Sequence, residues 1–198
     1  MLKESLLAAA MAFPAWHGDK ESPADREARL GVIAQAIDEA VAVATCRDQK
    51  PQRRDANEAS ANQGGKSDEC KRFWHGTQRE LGFLLLGQAF FETRLAFHVH
   101  AGKCRVEIGE CDSGRAISLW QLQAGYHLPV ERWKQLAGTD LDSTREAAIE
   151  AARALARGRN FCNGSLEGAV ASYATGKSCQ WKGAAQRVRF VRKMLARY

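Results

Sequence analysis

The sequence lacks a run of apolar residues long enough to cross a membrane. A membrane-spanning helix needs roughly 18 to 20 predominantly apolar residues, and no stretch of the 198 approaches that length. We therefore expect no transmembrane segment. Residues 1–13 are partly apolar, but Lys3 and Glu4 near their start are atypical of a secretory signal peptide. We expect these residues to form a first helix.

Internal repeats and nucleic-acid-binding signatures are also missing. The net charge of +6 favours anionic partners, such as nucleic acid, anionic lipid or bacterial cell-wall polymers. Part of this charge lies in residues 184–197, where arginines and a lysine surround an apolar face at helical spacing. Because no nucleic-acid fold signature accompanies them, we interpret these residues as a solvated cationic helix face. We expect no nucleic-acid partner.

Six cysteines can form three disulfides. Neighbours in the sequence suggest the pairs Cys46–Cys70, Cys104–Cys111 and Cys162–Cys179. Disulfides persist in oxidising compartments, so this pairing predicts a periplasmic or extracellular protein. The alternative is six reduced thiols in a cytosolic protein.

Capping signals mark several helix starts. Ser22 followed by a proline opens a helix that fades near Cys46, and the residues after it, 47–70, are polar and predict a loop or linker. Ser143 begins a capping-box pattern whose helix would stop at Gly158. Between them, residues 99–111 predict an irregular loop or a small β-hairpin.

Thr77 begins another capping-box helix, and this one carries the most informative residue. Along it Leu81, Leu85, Gln88 and Glu92 follow at steps of three and four, which places Glu92 on the stripe that faces the core. A carboxylic acid among apolar groups tends to keep its proton, as a general acid requires. The alternative is a surface glutamate on an amphipathic helix.

Three short segments stand out together along the chain. They are Phe91-Glu92-Thr93, Ser118-Leu119-Trp120-Gln121 and Ala171-Ser172-Tyr173-Ala174-Thr175-Gly176. Their order resembles that of the lysozyme-like lytic transglycosylases and goose-type lysozymes. In that family a Glu-Ser pair ends a core helix, a Gly-Leu-Met-Gln type segment lines the sugar groove, and an Ala-Tyr-Asn-Ala-Gly type segment closes the site. Here Thr93, Ser118 and Trp120 replace the family's serine, glycine and methionine, while Ala174 and Thr175 replace its asparagine and second alanine.

The resemblance implies a mainly α, lysozyme-like fold of the α+β superfamily, with a small irregular or β-containing loop region. It covers about residues 77–197. We accordingly divide the chain into a helical extension (1–46), a polar loop or linker (47–70) and a catalytic domain (71–198), and we expect a monomer.

The implied activity is cleavage of the bond between N-acetylmuramic acid and N-acetylglucosamine in peptidoglycan glycan strands, without a cofactor. Glu92 would be the catalytic acid. The residues implied to bind substrate are Thr93, Ser118, Trp120, Gln121 and Tyr173. In a hydrolase a second carboxylate would position water, and Glu107, Glu110 and Asp112 are candidates; a transglycosylase needs only one carboxylate.

Two other interpretations remain open. His98, His100, Cys104 and Cys111 resemble a metal-binding set, but their spacing matches no usual structural zinc site, so we expect no metal. From another class, the chain could be a non-catalytic cell-wall-binding or virion structural protein with a lysozyme-like fold.

Overall fold

The computed structural model describes residues 1–47 and 70–198, and this part of the chain is mainly helical, as predicted. The helices are α1 (Leu2–Met11), α2 (Pro23–Thr45), α3 (Gln78–Thr93), α4 (Phe97–His100), α6 (Val130–Trp133), α7 (Leu141–Phe161), α8 (Leu166–Thr175) and α9 (Lys182–Arg197). The short segment α5 (Glu110–Gly114) is a turn in which Cys111, Asp112 and Ser113 have left-handed backbone angles. Short 3-10 turns lie at Val106–Ile108 and Lys134–Leu136. The described strands are β1 (Ala116–Ile117) and β2 (Leu122–Gln123). None of the helices in 1–47 and 70–198 has the length and apolar character needed to span a membrane.

The predicted helix starts at Ser22 and Thr77 are confirmed. The Ser22 hydroxyl oxygen accepts a hydrogen bond from the backbone N–H of Asp25 at 3.1 Å, and the Thr77 hydroxyl accepts one from Glu80 at 3.0 Å. Each bond satisfies a backbone donor that the first helical turn leaves unpaired. Helix α2 ends where Cys46 adopts a left-handed backbone. Of the predicted loop over 47–70, residues 48–69 lie outside the described part.

The predicted limits of α7 are wrong at both ends. Its N-cap is Asp140, whose carboxylate accepts a hydrogen bond from the Ser143 backbone N–H at 2.8 Å, so Ser143 already lies inside the helix. Gly158 does not end the helix. A Cβ there would lie 3.0 Å from both the Ala169 carbonyl oxygen and the Ser172 Cβ. This glycine therefore allows α7 and α8 to approach closely.

One large hydrophobic core joins the N-terminal helices to the rest of the described chain. Helix α2 packs mainly against α7, and α1 and α3 pack beside it. Leu6 of α1 and Ile37 of α2 are fully buried in the same cluster as Leu85 of α3 and Leu155 of α7. The division into a helical extension (1–46) and a catalytic domain (71–198) stays a prediction. The hydrophobic core contains residues from both parts.

The region between α3 and α7 has little regular structure. Residues 99–111 form no hairpin; they contain the end of α4, a 3-10 turn and the start of α5. The hairpin comes later, where Ala116 pairs with Gln123 and Ile117 with Leu122 in antiparallel register. Its four-residue connection is the motif segment 118–121, so the motif is a tight turn between two short strands.

The three predicted disulfides are confirmed: Cys46–Cys70, Cys104–Cys111 and Cys162–Cys179. They are compatible with an oxidising compartment. The second bridge also bears on the zinc interpretation, because Cys104 and Cys111 are bonded to each other and supply no thiolate to a metal.

Candidate active site

Glu92 lies in the last turn of α3 and is ion-paired with Arg187 of α9. The helical phase was predicted correctly for Leu81, Leu85 and Gln88, which are buried. The predicted apolar surroundings of Glu92 are wrong, since its side chain is 21% exposed and contacts a guanidinium. The C-terminal end of a helix disfavours negative charge, so the cation offsets an unfavourable position for a carboxylate.

Arg187 is held from several sides. Its guanidinium lies over the ring of Phe91, 5.2 Å from the centroid, and over the ring of Trp181 at 4.8 Å. It also donates a hydrogen bond to the Gln88 side-chain oxygen at 3.2 Å. Stacking between rings restricts the planar group to few orientations. Glu92 therefore contacts an arginine whose position is fixed by groups other than Glu92.

Two clefts meet at Glu92. The first, which we call the central cleft, has a volume of about 320 Å³ and is lined by residues that include Glu92, Asp112, Gln121, Tyr173, Trp181 and Arg187. The second, the side cleft, has about 410 Å³ and is lined by residues that include Trp16, Glu92, Thr93, His98, Asp112 and Gln121. Glu92, Asp112 and Gln121 belong to both, so an extended ligand that occupies both clefts passes these three side chains.

Thr93 and Ser118 support the site more than they line it. The Thr93 hydroxyl donates to the Ala89 carbonyl oxygen at 2.9 Å, with the Leu119 carbonyl oxygen at 3.4 Å, which ties the end of α3 to the motif turn. Ser118 is 4% exposed, so the predicted substrate contact is wrong for it. Its φ of 66° lies in the left-handed region that favours glycine, which is the residue that the resembled motif has there.

Trp120 and Tyr173 also face inward. The Trp120 ring is fully buried and donates its indole N–H to the Leu85 carbonyl oxygen at 3.0 Å, so it presents no face to a sugar, contrary to prediction. The Tyr173 hydroxyl donates to the Trp120 carbonyl oxygen at 2.6 Å instead of to Glu92. Burial, aided by the negative charge of Glu92, raises the pKa of Tyr173 well above its ordinary value. Tyr173 is thus a neutral donor that fixes the motif turn, although part of its surface lines the central cleft.

Gln121 is the predicted binding residue that fits its role best. It lines both clefts and has a left-handed φ of 50°. Its amide nitrogen donates to the Ser118 carbonyl oxygen at 3.1 Å. An amide at this junction can exchange hydrogen bonds with hydroxyl or N-acetyl groups of a bound sugar.

Trp181 is a lining residue that sequence reasoning missed. It is 37% exposed, lies just before α9 and lines the central cleft. Its ring covers Gly183, where a Cβ would lie 2.3 Å from a ring carbon, and also stacks on Arg187. Gly183 and Arg187 are four residues apart and so lie on one face of α9. The sequence signal for this position was Trp181 followed by Gly183 in the first turn of a helix, because the glycine leaves room for the tryptophan ring.

Tyr126 and His127 complete the far wall of the central cleft. Tyr126 is 41% exposed, its ring lies against Gly176, and its hydroxyl donates to the Ser172 carbonyl oxygen at 2.8 Å. Burial lowers the pKa of His127 to about 4, so the ring is neutral near pH 7. Its Nδ1 accepts from the Gln123 backbone N–H at 2.9 Å.

The three candidate second carboxylates have different surroundings. Glu107 is exposed, and neither cleft includes it. Glu110 lines the side cleft, but hydrogen bonds from Arg105 hold its pKa at about 2, with His98 contributing. Asp112 lines both clefts; it pairs with Arg115 at 2.8 Å and accepts from the Gln123 amide at 2.8 Å. Asp112 is thus the acid that shares both clefts with Glu92.

Within residues 1–47 and 70–198, no group of three or more His, Cys, Asp and Glu side chains is arranged to hold a metal ion. Comparisons with protein-family models, with curated proteins and with solved structures give no match. The family resemblance therefore rests on the three motifs alone.

Proposed function

We propose that the protein cleaves peptidoglycan as a muramidase of the lytic transglycosylase type, with Glu92 as general acid and then base. The observation that carries this proposal is the position of Glu92 where the central and side clefts meet. A glycan strand that runs through both clefts has sugar units on either side of Glu92, and the bond between them lies beside its carboxyl group.

The lining of the clefts suits a sugar polymer. Trp181 and Tyr126 are aromatic residues exposed in the central cleft, and aromatic faces pack against the apolar faces of sugar rings. The Gln121 and Gln123 amides provide donors and acceptors for hydroxyl and N-acetyl groups. The net charge of +6 favours adhesion to anionic envelope polymers.

The proposed chemistry needs one enzymatic carboxyl group. Glu92 gives its proton to the glycosidic oxygen as the C1–O bond breaks, which leaves a carboxylate and an oxocarbenium-like sugar. The C6 hydroxyl of the same sugar then attacks C1, and its proton passes to Glu92. The acid is regenerated, and the product carries a 1,6-anhydro ring.

Asp112 favours a second candidate reaction, hydrolysis of the same bond. Because Asp112 lines both clefts with Glu92, it could position a water molecule for attack at C1. Mass spectrometry of the products separates the reactions. We expect 1,6-anhydromuramic ends, whereas reducing ends would assign hydrolysis, and the loss of that activity in Asp112→Asn would then assign Asp112 as the second carboxylate.

The Glu92–Arg187 ion pair favours a non-catalytic alternative. The carboxyl group of Glu92 is engaged by a side chain of the protein itself, as expected if the protein only binds cell wall or builds a virion. The three disulfides support work in the periplasm or outside the cell, where a phage-encoded endolysin or virion-associated lysin would act.

The test is the rate at which purified protein clears killed Gram-negative cells or releases soluble fragments from peptidoglycan. Glu92→Gln keeps the size of the side chain but removes the proton donor, so we expect a loss of about 10²- to 10⁴-fold. Glu107→Gln, at an exposed position outside both clefts, is the matched control and should act like the wild type. Undiminished lysis by Glu92→Gln contradicts the proposal, and wild-type protein that binds peptidoglycan without cutting it supports the non-catalytic alternative.

A further inference from the structure

Arg187 contacts the proposed acid, Glu92, and also Trp181, one of the aromatic residues that line the same cleft. One Nη atom contacts the Glu92 carboxylate and lies 3.2 Å from the Gln88 side-chain oxygen. The guanidinium stacks on Trp181 and on Phe91. Only 12% of the Arg187 side chain is exposed, so water competes weakly for these contacts.

The orientation of the Gln88 amide helps to hold Arg187 in place. Gln88 is 1% exposed, and its amide oxygen is used by Arg187. Within the described residues its amide nitrogen has no hydrogen-bond partner. The buried amide therefore presents its acceptor to Arg187, which holds the guanidinium one helical turn before Glu92 on α3.

We propose that Arg187 is a positioning residue for Glu92: the guanidinium, clamped by Phe91, Trp181 and Gln88, fixes the carboxyl group where the two clefts meet. This inference rests on the proposed function. A carboxyl group near the end of a helix has several rotamers, and a fixed partner selects one of them. Misplacement of a catalytic group by about 1 Å can lower a rate by about 10²-fold.

Other charged or titratable groups line the two clefts with Glu92. They are Tyr173 of α8, Asp112 of α5, His127 after β2, and Arg94, His98 and Glu110 in the side cleft. Near pH 7 Tyr173 and His127 are neutral, because burial raises the pKa of Tyr173 and lowers that of His127 to about 4. The pKa of Glu110, about 2, keeps that group charged. Arg187 is the cation in direct contact with Glu92.

Two substitutions test the positioning role. Arg187→Gln removes the planar group that is clamped beside Glu92. We expect kcat to fall by about ten- to a hundredfold, with a smaller change in KM. Arg187→Lys keeps the charge but loses the planar stacking group, so kcat should fall in this variant too.

The matched control is Arg189→Gln, an exposed arginine on the same helix. Each variant is assayed on peptidoglycan at a temperature where circular dichroism shows it folded. A purely structural role for Arg187 would lower the amount of folded enzyme but leave kcat per active site and KM unchanged. If Arg187→Gln and Arg189→Gln share the wild-type kcat, the inference is overturned and the proposed function stands.

A second measurement works without substrate. In protein labelled with ¹³C at glutamate carboxyl groups, the Glu92 resonance is the one that disappears in Glu92→Gln. We expect this resonance to broaden or move in Arg187→Gln, because the carboxyl group then samples several rotamers, and to keep its wild-type position and width in Arg189→Gln. An unchanged resonance in Arg187→Gln overturns the inference whether or not the protein cleaves peptidoglycan, whereas failure of the wild type to cleave it overturns the proposed function.

Discussion

Two tryptophans of the candidate active site have different roles. Trp120 is fully buried behind the motif turn, where its indole N–H bonds to α3 and its carbonyl oxygen accepts from Tyr173. Trp181 lines the central cleft over Arg187 and keeps 37% of its surface exposed. Trp120, which the motif singled out, supports the site from the core. Trp181, which belongs to no motif, lines the cleft where a ligand would bind.

The same division separates the other site residues. Thr93 and Tyr173 bond to backbone oxygens of the motif turn and so join α3 and α8 to it, while Ser118 bonds within the turn. Asp112 and Arg187 line the open side with Glu92. A short motif records local backbone demands, such as the left-handed φ at Ser118. A residue that lines the cleft needs only a side chain that reaches it. Such residues therefore have no fixed spacing in the sequence that a motif could record.

The largest effect on stability should follow truncation of the buried tryptophan. Trp120→Ala removes a fully buried ring and leaves the Leu85 carbonyl oxygen without its donor, so we expect a loss of about 3 to 5 kcal/mol in the free energy of unfolding. Urea denaturation followed by circular dichroism measures it. Trp181→Ala in the same assay should cost about 1 kcal/mol or less, because that ring is partly exposed. Equal losses in the free energy of unfolding for Trp120→Ala and Trp181→Ala would contradict the assignment of Trp120 to the core and Trp181 to the cleft lining.

Local rules predicted much of the fold, and the reason is visible in particular residues. Ser22 and Thr77 cap their helices through neighbouring backbone atoms, and each disulfide joins cysteines adjacent in the cysteine order. At α7 the same rules chose Ser143, whereas Asp140 three residues earlier provides the cap. A rule based on local sequence cannot distinguish two capping residues that lie so close together. The packing of the helix decides which of them is the N-cap.

The candidate site was predicted less completely, because its contacts join distant parts of the chain. Glu92 and Arg187 are separated by 95 residues, and helical periodicity describes only the helix on which each lies. The stripe on α3 correctly buried Gln88, but a stripe does not indicate that a neighbouring helix supplies a cation at its end. A basic helix such as α9 looks like a solvated face until its partners are known.

Trp181 provides the next test, which concerns binding. If its ring packs against a sugar in the central cleft, Trp181→Ala should raise KM for peptidoglycan by about tenfold, corresponding to about 1.4 kcal/mol, while the protein stays folded. Gly183→Ala is a second route to the same loss, because the new Cβ would lie 2.3 Å from the present ring and must displace it. Unchanged KM in both variants would remove Trp181 from the binding surface and leave the cleft without its main aromatic contact.

The smallest effect concerns His100, which belongs to the buried support. Its Nε2 lies 2.9 Å from the Thr144 hydroxyl oxygen, and within the described chain its Nδ1 is buried without a partner. Burial, aided by the nearby Arg29 charge, lowers the pKa of His100 from 6.5 to about 3. In the unfolded chain His100 therefore binds a proton below about pH 6.5, whereas in the folded protein it binds one only near pH 3. The resulting stability is complete above pH 6.5 and is lost progressively as the pH falls.

Over the first pH unit below 6.5 this one group should cost about 1 kcal/mol in the free energy of unfolding. His100→Gln removes the titrating ring, so its stability should fall less steeply with acid than that of the wild type, whatever its value at pH 7. His17→Gln, at an exposed position, should keep the wild-type slope. Urea denaturation at pH 7.5, 6.5 and 5.5 compares the slopes, and parallel curves for wild type and His100→Gln would show that the buried ring is already charged or that acid opens this region first.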